Sequence, residues 1–267
     1  MTSRRTAPAA LAALLLLASA CGGGSAAGDG DLLIAAASDL QPAFTLLGAR
    51  FEEETGIEVA FDFGSSGQIA QRLIEGQPVD LFASADAGFV DQVLAQGLGD
   101  PESRRTYAFG RIVLWSDADR WAGWTSLEDA VADADVVNLA IANPEHAPYG
   151  VAGQQALAAS GLLDDVADRL VFGENISDTQ RLIETGNADV GILALSLAMA
   201  ADERGAGEWL LLDEGLHAPL QQDLLVTASD AEQVASARRF VDLVESEQGR
   251  EVMRRFGFVL PGEEPAP

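Results

Sequence analysis

Serine and glycine gather at four places where an apolar run ends and a helical pattern begins: AAASD at 35–39, FGSSGQ at 63–68, IANPEHAPYG at 141–150 and VFGENIS at 171–177. The first turn of a helix leaves backbone N–H groups without intrahelical acceptors and carries a partial positive charge of roughly half an electron. Small residues there let a ligand approach the backbone closely. In open α/β sheets ligands sit beyond the carboxyl ends of the strands, where these junctions fall. Four helix starts aimed at one place would hold an anion.

Ser38 follows a buried run and immediately precedes a helix, so its hydroxyl and N–H would both face the crevice; the competing role is a simple N-cap. Asp39 is awkward beside an anion, since an ionised carboxylate repels it. Capping the helix that has Pro42 in its first turn is its expected role, and accepting a proton from a protonated oxyanion is the other. Ser65 and Ser66 precede Gly67 at the second start, where successive N–H groups and two hydroxyls form a small anion nest. Tyr149 and Gly150, after Pro148, place N–H groups at the third start, and Ile176 offers only its backbone at the fourth.

Catalysis finds little support. His146 and His217 stand in no metal-ligand spacing, and no nucleophile has a base nearby in sequence. The stretch from Gly64 to Gln68 fails the G-x-S-x-G pattern at its last position and lacks the G-K-[ST] ending of a P-loop. The expectation is a binding protein with no catalytic residue, no cofactor and no site for a free metal cation.

With 267 residues, 48% hydrophobic and 22% charged, the chain can bury one large or two medium cores. Its formal net charge is −26, and the first 20 residues hold two arginines and no acidic residue, so the remainder is more negative still. Nucleic acid and anionic lipid surfaces are therefore poor partners, and no nucleic acid is expected. Such a field also opposes long-range capture of an anion, which must then be held by local, desolvated hydrogen bonds. Residues 1–20 read as a signal peptide: Arg4 and Arg5, an apolar stretch from Ala9 to Ala18 too short to span a bilayer stably, then Ser19 and Ala20 before Cys21. The sequence LASAC at 17–21 resembles the lipobox of bacterial lipoproteins. That resemblance implies that Cys21 becomes the lipidated first residue and anchors the protein to the membrane on its extracytoplasmic face. Residues 21–30 read as a flexible tether, and a lone cysteine forms no internal disulfide.

From Asp31 onward short apolar runs alternate with amphipathic stretches, the pattern of βα units. Strands are expected at 32–37, 59–63, 81–84, 109–115, 136–142, 170–172, 188–195 and 224–227, with Asp86 capping the third helix and a mostly helical stretch over 231–256. The expected architecture is α/β with two lobes of mostly parallel sheet flanked by helices and a cleft between them. The first lobe spans 31–112, the second 113–224, the return to the first 225–261, and a tail 262–267.

On AAASDL at 35–40, FGSSGQIAQRLIEGQPVDLFASAD at 63–86, ANPEHAPYG at 142–150, GENISDTQRLIETGNADVGILALSLA at 173–198 and EVMRRFGFVLP at 251–261, the chain resembles the periplasmic molybdate-binding proteins of ABC transporters. Order and spacing match over almost the whole chain after the tether. The resemblance implies a type II periplasmic-binding-protein fold, a monomer that closes on molybdate or tungstate and delivers it to a membrane permease driven by an ATPase. It implies Ser38 and Ser66 as hydroxyl and N–H donors to the oxyanion, and Tyr149 and Ile176 as backbone N–H donors from the second lobe. Where the family commonly adds a tyrosine hydroxyl this chain has Ala194, leaving that contact to Ser196 or a backbone group. Sulfate or phosphate is the alternative ligand, and an enzyme or adhesion module on the same fold is the alternative class.

Overall fold

The apolar run Leu32–Ala37 forms β1, a central strand buried at every residue but Leu33. A single 3-10 turn, Ser38–Leu40, carries it into α1 (Gln41–Thr55). Pro42 presets the first turn of that helix, Phe44, Leu47 and Phe51 form its buried face, and Gly56 ends it in the left-handed conformation at φ 73°. The computed structural model describes residues 31–264, so the expected signal peptide, Cys21, the whole tether and the end of the tail lie outside the described residues.

The first lobe continues through β2 (Val59–Gly64), α2 (Ser66–Ile74), β3 (Leu81–Ser84), α3 (Ala87–Ala95) and β4 (Arg105–Gly110). Asp86 caps α3 as expected, its Oδ1 accepting from the Gly88 N–H at 2.6 Å. Arg111 alone separates β4 from β5 (Ile112–Ser116), so the strand expected over 109–115 is two strands of different sheets. The second lobe then adds α4 (Leu127–Ala132), β6 (Leu139–Ala142), α5 (Pro148–Ala159), α6 (Leu163–Val166), β7 (Leu170–Gly173), α7 (Ile176–Glu184), β8 (Val190–Ala194), α8 (Leu195–Asp202) and β9 (Glu208–Leu211). The chain returns to the first sheet in β10 (Leu220–Val226) and ends in α9 (Ala231–Glu245) and α10 (Glu247–Arg255). Ser246 breaks the expected long helix, its hydroxyl capping α10 by accepting from the Gly249 N–H at 3.1 Å.

The two sheets share one plan. Their orders are β2-β1-β3-β10-β4 and β7-β6-β8-β5-β9. Parallel pairing joins β1 to β2 and β3, and β6 to β7 and β8; β10 and β5 pair antiparallel with both neighbours. One strand in each sheet therefore runs against the other four, and in both cases it is the strand entered by a crossing between lobes. The boundary expected between 224 and 225 falls inside β10, which belongs whole to the first sheet from Leu220 onward.

Aromatic packing closes the first core: Phe240 of α9 meets Phe44 and Phe51 of α1 edge-on, with ring centroids 5.5 Å apart in each pair. Each such buried ring contributes roughly 1.5–3 kcal/mol. Trp115 fills the second core. Among the described residues no helix is long and apolar enough to cross a membrane.

Candidate functional site

Strands β1, β2, β6 and β7 each run into a helix start at the same cleft, two from each lobe. Ser38, Ser66, Tyr149 and Ile176, one from each junction, line a single tight cavity there with an accessible volume of about 10 Å³. That is near the roughly 10–15 Å³ that a single water needs and far below the roughly 300–1,000 Å³ of sites for drug-sized molecules, so the space between the lobes excludes larger solutes. The N–H groups of Ser66, Tyr149 and Ile176 have no acceptor among the described residues. The helices α2 and α5 also lack a side-chain cap, which leaves their starts open to the cavity. Ser66 Oγ accepts from the Ala85 N–H at 3.0 Å, which directs the hydroxyl hydrogen elsewhere. Among the described residues no lysine, arginine or histidine lines this cavity.

The lobes meet around it. Ser38 Oγ donates to Asn175 Oδ1 at 3.1 Å and accepts from the Ser177 N–H at 3.3 Å, while Asn175 Oδ1 also caps α7 through the Asp178 N–H at 3.0 Å. On the other side the His146 carbonyl accepts from Ser65 Oγ at 2.6 Å and from the Gly67 N–H at 3.0 Å. The fold thus brings together a serine and an imidazole that sequence separation hides, Ser65 Oγ and His146 Nδ1 at 2.9 Å. Because the Ser65 hydroxyl hydrogen is directed to a backbone carbonyl, this pair ties the lobes and is not arranged for proton abstraction. Gln68 Nε2 extends the tie to Glu174 Oε2 at 2.9 Å.

Asp39 does not cap a helix; neither α1 nor the turn before it has a side-chain cap. Its carboxyl group is fully buried, and Oδ2 accepts from the Tyr149 hydroxyl at 2.9 Å and from Gln222 Nε2 at 2.7 Å. Gln222 is held in turn by the Tyr107 hydroxyl, which donates to its Oε1 at 2.9 Å. Capping lost because the carboxylate finds donors on α5 and β10 that the sequence places 110 and 183 residues away. Burial pushes the Asp39 carboxyl up to about 6, opposed by the Gln222 and Tyr149 hydrogen bonds. Burial and the Asp39 charge together hold both Tyr107 and Tyr149 well above the usual phenol range.

A family model described as bacterial extracellular solute-binding protein matches residues 32–259. The chain belongs to this family. It is 33% identical over 232 residues to the molybdate-binding protein of Rhodobacter capsulatus, covering 86% of this chain and 88% of that one. The identity to the molybdate-binding protein of Azotobacter vinelandii is 30% over 231 residues, covering 86% and 90%. The solved structure of the periplasmic molybdate-binding protein of Azotobacter vinelandii superposes with a TM-score of 0.80 at 30% identity, over 86% of this chain and all of that one.

As a solute-binding protein the chain places its cavity where the two lobes meet, and the four residues singled out in the sequence converge there. Ala194 and Ser196 do not line it. Ser196 Oγ donates to the Asp39 carbonyl at 2.7 Å, so it supports the turn before α1 and is not turned toward the cavity. Asn175, Gln222 and Tyr107 escaped the sequence reading, because each acts through a partner more than a hundred residues away. A wider depression of about 560 Å³ between α1, α8 and α10 is open, and its charges are matched among themselves, Arg255 with Glu203 at 2.9 Å and Arg204 with Glu184 at 3.8 Å.

Proposed function

We propose that this solute-binding protein captures molybdate outside the cytoplasm and hands it to the permease and ATPase of an ABC importer. The observation that carries the reading is the convergence of three N–H groups without acceptors and the Ser66 hydroxyl on a small cavity lined by no cation. A tetrahedral dianion with no proton of its own wants donors only, and neutral donors in a desolvated site supply them without a bulky countercharge. Charge-assisted hydrogen bonds net roughly 1.5–3 kcal/mol each, so about five reach submicromolar affinity after the costs of association. Relatives at 33% and 30% identity carry molybdate in their names, which supports the choice of ion.

In this reading Ser38 and Ser66 supply hydroxyl and N–H donors, and Tyr149 and Ile176 supply N–H donors. The Ser38 hydroxyl must then turn from Asn175 toward the ligand. Tungstate, a tetrahedral dianion of nearly the same size, binds in the same way. The protein works as a monomer without a cofactor and performs no chemistry on its cargo, and among the described residues no cluster of His, Cys, Asp or Glu could hold a metal ion. Cys21, outside the described residues, anchors it by lipid, a proposal that rests on LASAC at 17–21. The test is thermal unfolding of the purified protein with molybdate, tungstate, sulfate or phosphate at about 100 times the dissociation constant, where binding adds about 2.7 kcal/mol. A rise in melting temperature with molybdate and tungstate alone is expected; a rise with sulfate or phosphate instead assigns the site to another anion.

A further inference from the structure

The two oxygens of the Asp39 carboxyl group live in different surroundings. Oδ2 accepts two hydrogen bonds, from the Tyr149 hydroxyl at 2.9 Å and Gln222 Nε2 at 2.7 Å. Oδ1 is buried and has no hydrogen-bond partner among the described residues, and Asp39 lines the cavity with Ser38, Ser66 and Ile176. A buried polar atom without a partner is costly unless a ligand or a proton completes it. Both side-chain donors sit on Oδ2, and the nearby backbone N–H groups of Asp39 and Leu40 add a weaker pull toward the carboxylate, which leaves Oδ1 as the place for a proton.

We propose that Asp39 couples capture of the oxyanion to uptake of one proton: the carboxyl group binds the dianion in its protonated form, with the O–H on Oδ1 donating to a ligand oxygen. This rests on the molybdate reading above. The proton comes from solvent, no bond of the ligand breaks, and the ligand is held through its oxygens without coordination of its metal by the protein. An ionised carboxylate beside a dianion in a desolvated cavity would repel it, whereas a neutral carboxyl adds one more donor to a set made of donors. The direction of the Asp39 equilibrium agrees: burial raises it to about 6, so the group lies within reach of protonation at neutral pH.

The groups that face Asp39 give the coupling no other obvious source. Tyr149 on α5 and Tyr107 on β4 stay protonated, both pushed well above the usual phenol range by burial. Gln222 on β10 and Ser196 on α8 do not titrate, and Asp223, next along β10, is paired with Arg104 at 2.6 Å. His146 reaches the cavity wall only through Ser65, and Glu174 lies beyond it on Gln68.

The test is titration calorimetry of the purified protein with sodium molybdate between about pH 6 and 8, in pairs of buffers with different ionisation enthalpies. The dissociation constant is expected to rise about tenfold per pH unit, with about one proton taken up per ligand at the upper end. Asp39→Asn keeps an acceptor for Tyr149 and Gln222 and turns an N–H donor to the cavity. It should bind with no pH dependence and about 100-fold more tightly than the unmodified protein at pH 8. His146→Gln should keep the slope whatever its absolute affinity. A flat profile without proton uptake in the unmodified protein overturns the proposal and leaves the molybdate reading standing. Loss of binding in a folded Asp39→Asn overturns it too, and gain of hydrogen phosphate by the unmodified protein would mean the carboxylate accepts a ligand proton. No heat with molybdate at any pH removes both readings. If Asp39→Asn does not fold, the proton count on the unmodified protein decides.

Discussion

The N–H of Gly67 in the first lobe donates to the carbonyl oxygen of His146 in the second at 3.0 Å, and the approach leaves no room for a side chain, since a Cβ on Gly67 would lie 2.6 Å from that oxygen. The obstruction is backbone, so it is relieved only if the lobes move apart. Alanine is favoured over glycine inside a helix by about 1 kcal/mol, and Gly67 sits in the first turn of α2 without a positive φ. Gly67→Ala should therefore fold normally and close badly. Losing the two hydrogen bonds to His146 should weaken molybdate binding about 10- to 100-fold. Small-angle scattering should show less compaction with ligand than the unmodified protein gives. Unchanged affinity would mean that closure does not depend on this contact.

Ser66→Ala removes the hydroxyl whose oxygen is fixed by the Ala85 N–H and whose hydrogen is left for the cavity. A hydrogen bond to a charged group is worth about 1.5–3 kcal/mol, so the dissociation constant for molybdate should rise about 10- to 150-fold in calorimetry. The Ala85 N–H also loses its acceptor, which should lower stability by about 1–3 kcal/mol. Binding that survives the change would place the ligand elsewhere.

The four junctions were legible because each is local: an apolar run, then Ser or Gly, then a helical period, all within about ten residues. The same locality explains what was not. In β10 the polar run Gln221, Gln222, Asp223 lies outside the strand expected at 224–227, yet Gln222 and Asp223 are 0% and 1% exposed. Their partners are Tyr107, Asp39, Arg104 and Thr106. Buried polar residues matched by distant partners leave no periodic signal, so the return to the first lobe expected at 225 falls five residues beyond the start of β10 at Leu220. Asp39 follows the same rule: its sequence neighbours favour a cap, and its side-chain donors come from the other lobe and from the last strand.

Stability should fall as pH rises through the range set by Asp39. Its unfolded value is near 3.8 and its folded value is about 6, so the folded chain holds more protons between the two. The contribution is fully present below pH 4 or so and is lost as pH passes about 6, an effect of roughly 3 kcal/mol at most. Asp39→Asn carries no charge to desolvate. Without ligand it should melt higher than the unmodified protein at pH 8, by about 5–10 °C, and the two should converge near pH 4. Coincident melting at pH 8 would show that no ionised carboxylate is buried there. Asp80, whose carboxyl is also raised by burial, is present in both proteins and cancels.

Tyr149→Phe separates the two roles of its residue. The backbone N–H at the start of α5 is untouched, so molybdate binding at pH 6 should change by no more than a few-fold. The lost hydroxyl donates to Asp39 Oδ2 at 2.9 Å and accepts from Gln222 Nε2 at 3.1 Å, and its bond to Asp39 favours the ionised carboxylate. Without it the carboxyl should protonate more readily, moving the pH at which affinity begins to fall above about 6 and strengthening binding at pH 8 relative to the unmodified protein. Phenylalanine keeps the ring and vacates only the space of the hydroxyl oxygen beside Gly110, where a Cβ would lie 2.1 Å from that oxygen. A parallel drop in affinity at every pH would instead assign the Tyr149 hydroxyl to the ligand itself.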